Sequence, residues 1–107
     1  MSHFSNDHIE EVALRFRALG EPARLRILSA LRAGEQSVSE IMAAVELSQA
    51  NVSKHLHVLH ELGFVLRRKE GLFVYYALAN RNVFRLCEIL CGESHVKPRT
   101  RLARAAD

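Results

Sequence analysis

Leu47–Val65, LSQANVSKHLHVLHELGFV, decides how the rest of this chain is read. Val52, Leu56, Leu59 and Leu62 recur at helical spacing and mark an apolar face. Ser48 stands where an N-cap belongs, and Gly63 stops the run. The other side offers Gln49, Asn51, Ser53, Lys54 and His57, with no carboxylate until Glu61 in the last turn. An ordinary amphipathic surface helix usually mixes acids into such a face. One made of amides, hydroxyls and amines suits the major groove of DNA, where these groups meet base edges and phosphates.

The flanking segments fit the same partner. Upstream, Ser37 or Ser39 caps a short helix to about Val45, and Glu46–Leu47 makes a tight turn. Two short helices joined in this way form a helix-turn-helix, whose second helix reads DNA. Past Gly63, the expected left-handed residue after the helix, the period changes. Phe64–Lys69 and Leu72–Leu78 are rich in Val, Phe, Tyr and Leu. Glu70–Gly71 between them predicts a two-residue hairpin turn with glycine in second place. The tip carries Arg67, Arg68 and Lys69, and a basic hairpin directly after a recognition helix is a wing.

Helices are also expected on either side of this unit. Ile9, Val12, Ala13, Phe16 and Leu19 form a stripe over Asp7–Leu19, which Gly20 ends. Pro22 opens a second helix to about Ala33, because proline gives up an N–H that has no partner there. In the fifth, Val83–Cys91, apolar residues surround nearly the whole cylinder around Arg85 and Glu88. Such a helix needs cover on all sides, which predicts a two-fold homodimer through the first and fifth helices. The expected fold is mainly α with a β-hairpin wing, a winged helix-turn-helix in the order α-α-α-α-β-β-α. Residues 1–91 would form the DNA-binding and dimerisation domain. Residues 92–107 read as a flexible basic tail, with Lys97, Arg99, Arg101 and Arg104 as candidate weak phosphate contacts.

The bulk properties agree. A chain of 107 residues fits one domain, and 49% hydrophobic residues suffice for a core. The formal charge of +3 is unevenly spread. Lys54, Arg67, Arg68, Lys69 and Arg81 face only Glu61 and Glu70 between Ser48 and Arg81, whereas Asp7, Glu10 and Glu11 cluster near the start. One polyanion-binding surface follows from that asymmetry. No apolar run approaches the roughly 20 residues of a membrane span, and no signal-peptide core opens the chain, so a cytoplasmic protein with reduced thiols is expected.

Three segments together resemble the ArsR/SmtB family of bacterial winged-helix repressors: ALGEPARLRILSAL (Ala18–Leu31), LSQANVSKHLHVLHELGFV (Leu47–Val65) and RRKEGLFVYYAL (Arg67–Leu78). The resemblance covers about Phe4 to Cys91. It implies a homodimeric repressor that binds an imperfect inverted repeat in double-stranded DNA and is released by an inducer. Carried over residue by residue, it makes Ser48, Gln49, Asn51, Ser53, Lys54 and His57 recognition-helix residues. Gln49 and Asn51 are the candidates for base edges, and Lys54, Arg67, Arg68 and Lys69 those for phosphates. Tyr75 and Tyr76 lie on alternate sides of a strand, so only one can face out to anchor the wing; the favoured alternative is that the tyrosines pack in the hairpin.

The inducer is less legible. The family's thiolate pair in the third helix is missing, since SVSEIMAA has Ser37 and Ser39 there. Its His and carboxylate set along the fifth helix is missing too, replaced by Asn80, Asn82, Arg85 and Glu88. His55, His57 and His60 read as surface histidines of a DNA-facing helix; His3, His8 and His95 read as solvated. Cys87 and Cys91 remain, spaced i, i+4 on one helical face. Across a dimer they offer thiols to a soft metal or metalloid ion, or to an oxidant or reactive sulfur species. Thiol-sensing relatives carry a cysteine near the position of Cys91, but their partner cysteine falls at Ser29 here. The alternative is that both cysteines only pack, in a constitutive DNA-binding or architectural protein. No nucleophile–base constellation, phosphate-binding loop or acid pair points to an enzyme.

Overall fold

The structure, a computed structural model, describes residues 5–91. The expected tail, with Lys97, Arg99, Arg101 and Arg104, lies outside the described residues, as do His3 and His95. In chain order the elements are α1 (Asn6–Leu19), α2 (Pro22–Ala30), β1 (Gln36–Ser37), α3 (Val38–Val45), α4 (Gln49–Glu61), β2 (Val65–Glu70), β3 (Phe73–Leu78) and α5 (Asn82–Cys91).

Local chemistry sets where the helices start. Ser5 accepts from the His8 N–H at α1, and the Glu21 carboxylate from the Ala23 N–H at α2, with Pro22 in the first turn. At α3 the Ser37 hydroxyl accepts from Glu40 N–H at 3.2 Å while the Glu40 carboxylate accepts from Ser37 N–H at 2.8 Å. This reciprocal capping box decides between the two candidate serines in favour of Ser37. The second helix stops at Ala30, earlier than its pattern suggests, because Leu31–Ala33 tightens into a 3-10 turn before Gly34.

The sheet has three antiparallel strands in the order β1-β3-β2, one more than expected. β1 is only two residues long, too short to show any period, and is defined by pairing: Gln36 lies opposite Tyr76 and Ser37 opposite Tyr75. In the β2–β3 hairpin Glu70 is paired with Phe73, so the connecting residues are Gly71 and Leu72 rather than Glu70 and Gly71. Gly71 has φ +60° in the first turn position, where a II′-type turn demands glycine.

Ile27, Leu28, Leu31, Ile41, Val52, Leu56, Leu59, Val65, Tyr76 and Val83 form one buried cluster that unites α2, α3, α4, the base of the wing and the start of α5. Each aliphatic side chain there contributes about 1.5–3 kcal/mol by leaving water. α1 and the rest of α5 stand outside this core. Of the predicted α1 stripe, Ile9 and Phe16 remain exposed, as does Leu14. On α5, Ile89 is 73% and Leu90 72% exposed. Among the described residues no helix is long and apolar enough to cross a membrane.

Candidate nucleic-acid interface

α4 is held at both ends. Glu46 adopts the left-handed conformation (φ 55°) and its N–H closes α3 on the Met42 carbonyl at 2.8 Å. Two residues later the Ser48 hydroxyl accepts from Asn51 N–H at 3.2 Å and starts α4. At the far end Gly63, φ +83°, donates to the His60 carbonyl and Phe64 to that of Leu59. Those two bonds make a Schellman motif, which sends the chain straight into β2.

Val52, His55, Leu56 and Leu59 are the buried face of α4. Ser48, Gln49, Asn51, Ser53, Lys54 and His57 are all exposed. They do not share one line: at roughly 100° per residue, Ser53, Lys54 and His57 lie opposite the core, and Gln49 and Asn51 flank them on opposite sides. The first two turns therefore present a broad polar surface with a single cation, Lys54, at its centre.

His55 corrects the sequence reading. It is only 9% exposed and accepts from Arg24 of α2 through Nδ1 at 3.3 Å. Its spacing from Val52 and Leu59 puts it on the apolar face, a placement the expectation of three surface histidines overlooked. Burial, then the Arg24 and Lys54 charges, push its ring below the usual histidine range, with Glu21 opposing. Tyr76 is the tyrosine that packs, while Tyr75 is half-buried on the other sheet face.

Strand parity sorts the basic residues of the wing. Arg67 and Lys69 share the sheet face of buried Val65, opposite Tyr76 and Val74; Leu66, Arg68 and Glu70 are on the reverse. Among the described residues neither Arg67 nor Lys69 has a carboxylate at ion-pair distance. Arg68 does. Its Nε and Nη2 meet the two Glu35 oxygens at 2.9 and 2.8 Å, Glu70 lies 3.4 Å away, and its guanidinium stacks 4.7 Å from the Tyr75 ring centre. The bidentate bond holds the Glu35 carboxyl below the usual carboxylate range and raises Arg68 further above its own. Glu35 is 33 positions from Arg68, and local pattern carries no signal for it.

On α5, Cys87 is half-buried, and the side chain of Cys91 lies outside the described residues. Among the described residues no three His, Cys, Asp or Glu side chains converge as a metal-binding group.

Helix, tight turn, recognition-type helix and basic hairpin on one core are the winged helix-turn-helix arrangement. Residues 21–66, from the start of α2 into β2, match the family model for bacterial regulatory proteins of the arsR family. The chain is 40% identical over 80 residues to a biofilm growth-associated repressor of Agrobacterium fabrum, covering 75% of this chain and 68% of that protein. It belongs to the arsR family. This ArsR-family chain is also 39% identical over 82 residues to a transcriptional repressor SmtB homolog of Synechocystis. That match takes in 77% of this chain but 62% of the homolog's length. In three dimensions it is similar to the homodimeric winged helix-turn-helix DNA-binding domain of a Mycobacterium bovis protein described as a possible ArsR-family transcriptional regulator. The TM-score is 0.71 at 32% identity, covering 84% of this chain and 86% of that one.

Proposed function

We propose that this ArsR-family chain is a homodimeric transcriptional repressor that binds an inverted-repeat operator and is released by an inducer. The observation that carries the reading is the exposed, carboxylate-free start of α4 beside a wing whose Arg67 and Lys69 are unpaired among the described residues. α4 enters the major groove. Gln49 and Asn51 read base edges, where a bidentate amide–adenine pair is worth about 1–3 kcal/mol of discrimination. Ser48, Ser53 and His57 supply further polar contacts, and Lys54, Arg67 and Lys69 meet phosphates. Arg68 differs, because Glu35 occupies its fork.

Two supports favour the dimer. Ile9, Leu14 and Phe16 on α1 and Ile89 and Leu90 on α5 leave apolar surface uncovered in one protomer. The similar Mycobacterium bovis domain is described as homodimeric. For induction, Cys87 and Cys91 are the candidate sensor, toward a soft ion or toward oxidants and reactive sulfur.

The test is a fluorescence-anisotropy titration of the protein on its own upstream promoter DNA. It compares reduced protein with protein given diamide, persulfide, cadmium or trivalent arsenic, beside a Cys87→Ser/Cys91→Ser variant. Tight binding that one treatment abolishes, and that the double variant retains through the same treatment, is the expected result. Binding that survives every treatment makes the thiols packing groups and the protein a constitutive repressor. No preference for promoter over scrambled DNA overturns the repressor reading itself.

A further inference from the structure

Arg24 sits where three helices meet. Its Nε donates to Nδ1 of His55 on α4 at 3.3 Å, and its Nη1 donates to the Ala18 carbonyl in the last turn of α1, also at 3.3 Å. His55 is the one buried polar residue among the described residues, and Ala18 is the one buried residue of α1. The rest of α4's inner face is Val52, Leu56 and Leu59, whose burial is non-directional and tolerates small rotations of the helix. A planar guanidinium bonded on two sides does fix direction. To accept at Nδ1, His55 must be neutral with its proton on Nε2.

We propose that Arg24 and His55 are positioning residues for the recognition helix. The Ala18–Arg24–His55 strut holds α4 in its DNA-reading orientation and couples it to α1. This rests on the DNA-binding reading above. α1 bears the exposed Ile9, Leu14 and Phe16, so the strut runs from the proposed dimer side of the protomer to its DNA side. Protonation of His55 removes the acceptor and sets a second cation against Arg24. The charged groups facing the ring are Arg24 and Glu21 at α2 and Lys54 on α4. Burial favours the neutral ring at ordinary pH, and acid loosens the strut.

The experiment compares wild type with His55→Leu, which lacks the acceptor, and His55→Asn, whose amide oxygen stands near the place of Nδ1 and does not titrate. Binding to promoter and scrambled duplexes is measured by anisotropy, and exchange of α4 amides is followed in the DNA-free proteins. His55→Leu is expected to weaken promoter binding roughly ten- to a hundredfold, the scale of one charge-assisted hydrogen bond, with scrambled DNA little affected. His55→Asn should stay within about threefold of wild type at neutral pH, and its advantage over wild type should grow as pH falls below about 6.5, because burial and the Arg24 charge hold this ring under the ordinary histidine value. Every other histidine is common to both proteins and cancels in that ratio. Wild-type promoter affinity in His55→Leu, or a pH-independent ratio with Asn as weak as Leu, overturns the proposal. If wild type does not discriminate the two duplexes, the repressor reading fails instead. Exchange then decides the strut: faster α4 exchange in Leu but not in Asn supports it, and equal exchange in all three sinks it.

Discussion

Replacing Glu35 by Gln should make this protein bind DNA more tightly and with a steeper dependence on salt. Glu35 lies before α3, on the connection to β1, and both of its oxygens are engaged by Arg68 at 2.8 and 2.9 Å. That bidentate fork is the same geometry with which arginine grips a phosphate. While Glu35 holds it, Arg68 contributes little to counterion release. Glutamine keeps the shape and removes the charge, so the guanidinium becomes available to the duplex. Each phosphate contact adds about 0.9 to the slope of log affinity against log salt, so a dimer with two freed arginines gains about 1.8. Over a fourfold range of salt that slope corresponds to roughly a twelvefold larger change in affinity than in wild type.

Anisotropy titrations from about 50 to about 200 mM salt would measure it. A Glu35→Gln/Arg68→Gln protein closes the cycle, because a gain that comes from Arg68 vanishes in the double variant. A gain that persists there reports only the loss of a carboxylate near DNA. An unchanged slope with weaker binding would refute the reasoning and show that the bridge orients the wing instead of masking it. Acid offers a second check. A carboxyl held below its usual range keeps its partner above the ordinary carboxylate pKa and loses it as pH falls through the lowered value. Wild type should therefore approach the behaviour of Glu35→Gln only under acid conditions.

Other perturbations have equally defined outcomes. Leu56→Ala should cost about 2–5 kcal/mol in chemical denaturation, since Leu56 is fully buried between α4 and the remaining core. Gly63→Ala should cost about 1–2 kcal/mol. An added Cβ there meets nothing within 4 Å, so the penalty is the φ of +83° alone and should appear in thermal melts. Ile89→Glu with Leu90→Glu should convert the dimer to monomer in light scattering while circular dichroism stays unchanged, since both side chains are exposed in one protomer. Loss of helical signal in parallel with dissociation would place them in the fold instead.

The helices and the wing were legible in the chain because their signals are local. Ser48, the 52–56–59 spacing and Gly63 delimit α4 without reference to anything distant, and the change of period after Gly63 announces the hairpin. The polar identity of Gln49, Asn51, Ser53 and Lys54 is likewise a property of the sequence, and with it the chemistry of the exposed face. Where long-range partners decide, the string was silent. β1 exists only because Gln36 and Ser37 pair with β3, and the hairpin turn slid by one residue because cross-strand register, not composition, selects its two corner positions. Arg68 reads in sequence as one of three wing cations, yet a carboxylate 33 positions away engages its fork. His55 reads as one of three histidines, yet an arginine 31 positions away and the inner side of α4 make it a buried acceptor. Helical and strand periodicity are written in neighbouring residues. Which charges stay available to a partner depends on side chains that only the folded backbone brings within hydrogen-bonding distance.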